Sequence, residues 1–239
     1  AKFSYVFPEY LIPLNNAVKK IIHESYKIDN KKFEVLSHGI DTKKFTYSKK
    51  IRNNIFTLMY FGSLVESYDF DIIIDAAKKL KGKNIQFIIR GRGKLLQNIK
   101  NQKEKYELSN LLIETDIVKD EEISKTLHKS DVLLAPMQKS KLVNYSLPTK
   151  ILEYQAVGRP IICCSDGAIG TYVEQTNSGL RANQGNVESF VKSILKLESD
   201  SKLCDLLGEN GRKNIENYNT FEKIGIRLSL IIDKVITEK

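Results

Sequence analysis

Ser146, Thr149, Lys150 and Glu153 stand close together in the run NYSLPTKILEYQAVGRPIICC, residues 144–164. Two hydroxyls, a cation and a carboxylate at this spacing suit a phosphorylated ligand. A loop followed by the first turn of a helix offers backbone N–H groups without intrahelical partners, and the positive end of the helix favours phosphate there. Glu153 follows Lys150 by three residues, so both share one helix face. A carboxylate is acceptor-only and suits a pair of ribose hydroxyls. Phosphates on the turn and ribose on the acid together describe a nucleotide.

The flanking residues say what positions this group. Pro148 suits the first helical turn, where its missing N–H is no loss. Gly158 suits the left-handed position that ends a helix, and Pro160 prevents continuation. Ile161, Ile162, Cys163 and Cys164 form a continuous apolar run, as expected of a strand buried on both faces. The unit is therefore loop, short helix, buried strand.

The stretch PTKILEYQAVGRPII resembles the P-x-K-x-x-E-Y-x-A-x-G-x-P-V-I signature of retaining GT-B glycosyltransferases of the group-1 type. The resemblance is to the bacterial and archaeal sugar transferases that build surface polysaccharides, and mainly to their C-terminal donor-binding domain. The run Ser37-His38-Gly39-Ile40-Asp41, ending at Phe45, is similar to the family's N-G-V-D-x-x-x-F loop, with His38 in the Asn position. That loop closes the N-terminal acceptor domain.

The resemblance implies a set of nucleotide-sugar-binding positions. Gly62 and Ser63 correspond to a G-R-L turn, and Tyr68 falls where many members place Lys. Those Arg and Lys residues hold the diphosphate, so another cation must replace them: Lys150 first, then Arg90 or Arg92. Many members carry Glu-x(7)-Glu; its second position is Glu153 and its first is Tyr145, within the loop that includes Ser146 and Leu147. Gly91 and Gly93 match a G-x-G turn. They are not a dinucleotide fingerprint, because Leu96 takes the third glycine position. Ile117 and Val118, after Asp116, match the loop whose backbone reads the base. Asp166, Gly167 and Gly170 match the loop after the central strand. The family's catalytic His lies in the acceptor domain, so no catalytic residue is assigned in this chain.

Composition limits the alternatives. The 239 residues, 41% hydrophobic, suffice for one large or two small domains. No apolar run has the length of a membrane span, and no signal peptide is visible. Three cysteines give neither a disulfide framework nor a metal spacing, which suits a reducing cytoplasm. The net charge of +9 is concentrated: residues 78–105 hold ten Lys or Arg and one acid, Glu104, and residues 43–52 hold five bases and no acid. Such a surface suits anionic lipid at the inner membrane face. No nucleic-acid-binding motif is present.

From Ile55 onward strands and helices alternate, which implies a parallel sheet of βαβ units. The strands are read at 55–61, 85–89, 110–114, 132–135, 161–164 and 179–182. The helices are read at 69–80, from about 94 to 105, and at 121–129, 186–197 and 201–217. Upstream, a helix is read over 10–26 and a short strand over 33–37. The fold class is α/β: a doubly wound, Rossmann-like parallel sheet, the GT-B C-terminal half, flanked by helices from the other half. Residues 1–52 are then a remnant of the acceptor domain plus a polar linker, 53–217 the nucleotide-sugar-binding domain and 218–239 the helix that crosses back. Ligands of such a sheet bind beyond the carboxyl ends of the strands.

The resemblance implies transfer of a sugar from a nucleotide-diphosphate-sugar donor to a glycan or lipid-linked acceptor with retention. No metal or other cofactor is expected, since members of this type need none and no Asp-x-Asp cluster is present. This chain alone is expected to bind donor without turnover, and to need the N-terminal domain or a partner subunit. Two other readings stay open at this point: a non-catalytic donor-binding subunit, and a nucleotide-sugar epimerase of the same fold.

Overall fold

The computed structural model describes residues 2–51 and 53–237, with backbone only at residues 2 and 3. Ala1, Arg52, Glu238 and Lys239, which belong to the expected end and linker segments, lie outside it. The elements run α1 (Lys2–Val6), α2 (Asn16–Tyr26), β1 (Phe56–Phe61), α3 (Phe70–Lys79), β2 (Ile85–Arg90), α4 (Leu96–Lys105), β3 (Leu111–Glu114) and α5 (Ile123–Leu127). There follow β4 (Val132–Pro136), α6 (Thr149–Ala156), β5 (Ile161–Cys164), α7 (Ala168–Gln175), β6 (Gly179–Ala182), α8 (Val187–Ser199), α9 (Ser201–Asn214) and α10 (Phe221–Thr237).

The strands form one six-stranded sheet in the order β3-β2-β1-β4-β5-β6, and every pairing is parallel. This is the doubly wound α/β fold expected from the alternation. Right-handed crossovers send the helices to opposite faces, and the reversal between β1 and β4 opens a crevice at the carboxyl ends of those strands. Residues 161–164 have no exposed surface, as their unbroken apolar character requires. Leu58, Met59, Tyr60, Phe87, Ile89 and Leu133 fill the centre of the sheet. α3 packs against α4 and α8, and α6 against α9. Among the described residues no helix is long and apolar enough to cross a membrane.

The N-terminal part departs from its periodicity. The helix read over 10–26 starts only at Asn16, because the Asn15 side chain caps it by accepting from the Val18 N–H at 2.9 Å. Upstream, Leu11 instead bridges Phe33 in parallel, with Leu11 N–H donating to the Lys32 carbonyl at 2.7 Å. The strand read over 33–37 shrinks to that single bridge. Pro13, which has no N–H, stops the ladder after its carbonyl accepts from Leu36 at 3.1 Å. The helix read over 121–129 is a 3-10 turn at Asp120–Glu122 followed by α5. The helix read over 201–217 ends at Asn214 and widens into a π turn, Ile215–Asn219.

That wide turn brings Asn219 against the earlier crossing of the chain. Ile40 N–H donates to the Asn219 carbonyl at 2.7 Å, Phe221 N–H donates to the Ile40 carbonyl at 3.2 Å, and the Asn219 side chain donates to the His38 carbonyl at 3.1 Å. The basic segment after it is fastened down. Arg159 donates to the carbonyls of Ser48 (2.7 Å), Ser130 (2.9 Å) and His128 (3.2 Å). His128 Nε2 donates to the Thr46 carbonyl at 2.9 Å, and the Tyr47 ring covers Gly158. On α10, Leu228 and Ile232 are exposed, as are Phe221, Ile226 and Leu230, while Ile231 is buried.

Candidate nucleotide site at the switch point

The turn after β1 and the turn after β2 are built against each other. Gly62 N–H donates to the Arg90 carbonyl at 3.0 Å, and Leu64 N–H to the Arg92 carbonyl at 2.8 Å. Gly91 and Gly93 both have φ near +156° and lie flat on the backbone of residues 62–64, where any Cβ would collide. The G-x-G spacing thus serves close backbone approach. It keeps the two strand ends open as the floor of a cavity.

That cavity, about 270 Å³, is lined by Gly62, Ser63, Arg90, Gly91, Ile117 and Val118 of the expected positions, and also by Phe61, Arg92 and Asp116. Arg90 is tied to Glu114 by an ion pair, which leaves it little charge to offer a ligand. Arg92 Nε donates to the Thr115 carbonyl at 2.6 Å, anchoring the guanidinium at the rim. Gly93 does not line the cavity; it supports the turn from behind.

Lys150 lies against the Gly62 turn from the other side. Pro148 is the residue before α6, with φ −65° and ψ 146°, and no side chain caps the helix there. Gly158 takes φ +71° after it, the left-handed conformation its position calls for. The helix therefore begins with an uncapped turn holding Thr149 and Lys150. Lys150 Nζ lies over the Tyr68 ring at 4.1 Å and the Tyr60 ring at 4.4 Å, and donates to the Tyr60 hydroxyl at 3.1 Å. It lies so close to Gly62 that a Cβ there would come within 2.5 Å of the ammonium, at a φ of +139°. Burial pushes the Lys150 ammonium down to about 7, opposed by the field of Glu153.

Glu153, one turn along, is half-buried and its carboxyl is pushed up by burial, with Lys150 and then Lys44 pulling it back down. Desolvation thus outweighs the pull of Lys150 on this acid. Lys44 and Asp120, paired at 2.9 Å, add their opposing fields to this end of the site.

The remaining expected residues lie elsewhere. Tyr145 and Leu147 line a second, larger cavity of about 570 Å³, together with Asn144, Asp166, Gly167 and residues of the N-terminal segment such as Asn15 and Val35. The Asn15 side chain donates to the Tyr145 carbonyl at 3.1 Å across that boundary. Ser146 is exposed, and its N–H is taken by the Val143 carbonyl at 3.0 Å, which leaves its hydroxyl as the group it can offer a ligand. The strand ends thus serve two cavities rather than one crevice, and α6 joins them: its leading loop lines one and Lys150 touches the turn that lines the other.

Sequence reasoning missed Tyr60 and gave Tyr68 no role beyond a replaced Lys. Tyr60 reads as one more apolar residue of a central strand, and its hydroxyl sets it apart: it donates to the Ser63 carbonyl at 2.6 Å while accepting from Lys150. Among the described residues no group of three or more His, Cys, Asp or Glu side chains is placed to hold a metal.

The chain is similar to known proteins in sequence and in fold. The profile described as "Glycosyl transferases group 1" matches residues 41–214. The UDP-Gal:alpha-D-GlcNAc-diphosphoundecaprenol alpha-1,3-galactosyltransferase of Escherichia coli is 25% identical over 244 residues, covering 95% of this chain and 61% of that protein. The capsular polysaccharide biosynthesis glycosyltransferase CapM of Staphylococcus aureus is 25% identical over 220 residues, covering 84% and 52%. The chain thus spans little more than half the length of these relatives. In structure, a glycosyltransferase of Rickettsia africae superposes with a TM-score of 0.82 at 17% identity, over 100% of this chain and 67% of that one. Anabaena HepE, solved in complex with UDP, superposes with a TM-score of 0.79 at 14% identity, over 97% and 65%. With a matched profile spanning both the Lys150–Glu153 helix and the opposed glycine turns, the chain belongs to the group 1 glycosyl transferases.

Proposed function

We propose that this chain binds the nucleotide diphosphate of a sugar donor, and that the protein transfers the sugar to a glycan or lipid-linked acceptor with retention. The observation that carries the reading is Lys150. A half-buried ammonium stands beside the uncapped first turn of α6 and against Gly62, at the switch point of the sheet. Cation and helix terminus together stabilise the negative charge that grows on the diphosphate as the sugar bond breaks. The cavity edged by Asp116, Ile117 and Val118 takes the base, and Glu153 accepts from the ribose hydroxyls. The named activity of the Escherichia coli relative and the UDP held by HepE support the donor class.

The test has two steps. A thermal-shift screen with UDP, GDP, ADP and their sugars identifies the base, because a ligand that binds only the folded state raises its stability. Calorimetric titration of wild type and Glu153→Gln with the best nucleotide then follows. A hydrogen bond to a charged group contributes roughly 1.5–3 kcal/mol, so the variant should bind about one to two orders of magnitude more weakly. Equal dissociation constants would remove Glu153 from the site.

A further inference from the structure

We infer that Tyr68 and Tyr60 form an aromatic cradle that aims the Lys150 ammonium at the ligand, which makes Tyr68 a positioning residue for sugar-donor binding. The inference rests on the reading that Lys150 faces a diphosphate. An ammonium has three protons to donate. Among the described residues its polar contact is the Tyr60 hydroxyl at 3.1 Å. The Tyr68 and Tyr60 ring faces, at 4.1 and 4.4 Å, stand where water or a carboxylate would otherwise be. The negative faces of two rings hold a cation without consuming its protons. Two N–H groups of Lys150 therefore stay available for phosphate oxygens.

The cradle is itself rigid. The Tyr60 and Tyr68 rings meet edge to face with centroids 5.1 Å apart, and Phe70 closes the cluster 4.9 Å from Tyr60. Tyr68 is buried and bridges Met137 beyond β4, so it spans the switch point from the β1 side. The Tyr60 hydroxyl is pinned by its own bond to Ser63. A carboxylate in place of the rings would hold the lysine equally well but would repel a diphosphate. The charged group that acts on Lys150 is Glu153, from its own helix; β1 and the following loop present Tyr60 and Tyr68, both of whose hydroxyls burial keeps neutral by raising them.

Two readouts on the full chain separate this inference from the reading it rests on. The first needs no nucleotide: acetic anhydride labelling of Lys150, followed by mass spectrometry across pH, reports its protonation and exposure. Tyr68→Phe keeps the ring and should leave the labelling curve in place. Tyr68→Leu should admit water and move the midpoint upward by at least one pH unit, whereas Tyr60→Phe, which keeps the core filled while removing an acceptor of the ammonium, should move it downward. The second readout is calorimetric titration with UDP at pH 6.5. Tyr68→Phe should bind within about twofold of wild type, and Tyr68→Leu about tenfold more weakly, the scale of one desolvated cation–π contact. Lys150→Met should lose at least as much. If Tyr68→Leu does not fold, Tyr60→Phe decides. Unchanged labelling in both Tyr68→Leu and Tyr60→Phe overturns the cradle. Unchanged UDP binding in Lys150→Met overturns the diphosphate reading and with it the aiming role.

Discussion

The Tyr154 hydroxyl joins both backbone groups of Phe61, donating to the carbonyl at 3.1 Å and accepting from the N–H at 3.2 Å. β1 pairs with β4 only through Leu58 and Met59, after which the two strands part. Thr57, four residues before Phe61 on the same edge, uses Asp131, so the Phe61 groups face the side that β4 has left. A fully buried side chain from α6 thus completes the strand where the sheet opens, and fixes the helix carrying Lys150 and Glu153 to the floor of the site.

Tyr154→Phe should therefore do more than remove one hydroxyl. Two backbone groups at the switch point lose their partner, at about 1–3 kcal/mol per unsatisfied group. Urea denaturation should show a lower midpoint with unchanged slope. UDP binding should weaken as well, because α6 loses its tie to β1. An unaltered midpoint would mean that water replaces the hydroxyl at no cost.

The pH dependences of stability and of binding should oppose each other. Burial lowers Lys150 in the folded state to about 7 from its ordinary 10.5. Between those values the unfolded chain holds the proton that the folded chain has released, so this group's contribution to stability improves as pH rises from 7 to 10.5. Affinity for a diphosphate, which needs the ammonium, should fall over the same range. Glu153 acts in the other sense: raised by burial from 4.5, it lowers stability as pH climbs above that value. Thermal melts and calorimetry at pH 7, 8 and 9, with Lys150→Met as reference, check the opposition. Parallel trends in wild type and variant would assign them to other groups.

Gly91→Ala should be among the most damaging single-methyl changes in the chain. The backbone conformation alone costs about 1–3 kcal/mol for a non-glycine residue, and the Gly62 carbonyl occupies the place of the new carbon. Gly82, at φ +84° with open space around it, is the control. Urea denaturation should show a clearly larger loss for Gly91→Ala than for Gly82→Ala.

The basic tract over 78–105 should attract anionic liposomes. Lys81, Lys83, Lys94, Lys100 and Lys105 are exposed, while Arg90 belongs to the cavity wall and Lys79 pairs with Glu188 at 2.6 Å. Such attraction is screened over about 10 Å at 0.1 M salt, so co-sedimentation should fall as salt rises. Equal sedimentation with neutral and anionic liposomes would count against a lipid-facing surface.

The sheet was legible because its strands carry their own evidence: Ile161 to Cys164 can only be buried, and Gly158 with Pro160 marks where the preceding helix must end. The N-terminal segment was not, since the periodicity of residues 10–15 is helical while Pro13 and the Asn15 cap decide otherwise. In the site, Lys150, Glu153 and the three glycines are visible because chemistry and backbone geometry restrict their types. Tyr60, Tyr68 and Tyr154 were not recognisable as site residues, because a tyrosine in an apolar run looks like core packing until its hydroxyl partner is known. Arg159 was hidden for a similar reason: its partners are carbonyls, which leave no mark in a sequence.

The pairing of Ile40 with Asn219 has a mechanical consequence. The chain passes between the N-terminal segment and the sheet domain twice, once after Gly39 and once before Phe221, and the two passes are knotted side by side by three hydrogen bonds. Because Arg159, His128 and Gly158 pin residues 46–48 to the sheet domain, the slack of that stretch is not available for bending. The Ile40–Asn219 pairing therefore fixes the separation of the two passes, and the Asn15–Tyr145 hydrogen bond ties the N-terminal segment to the sheet domain at a second point.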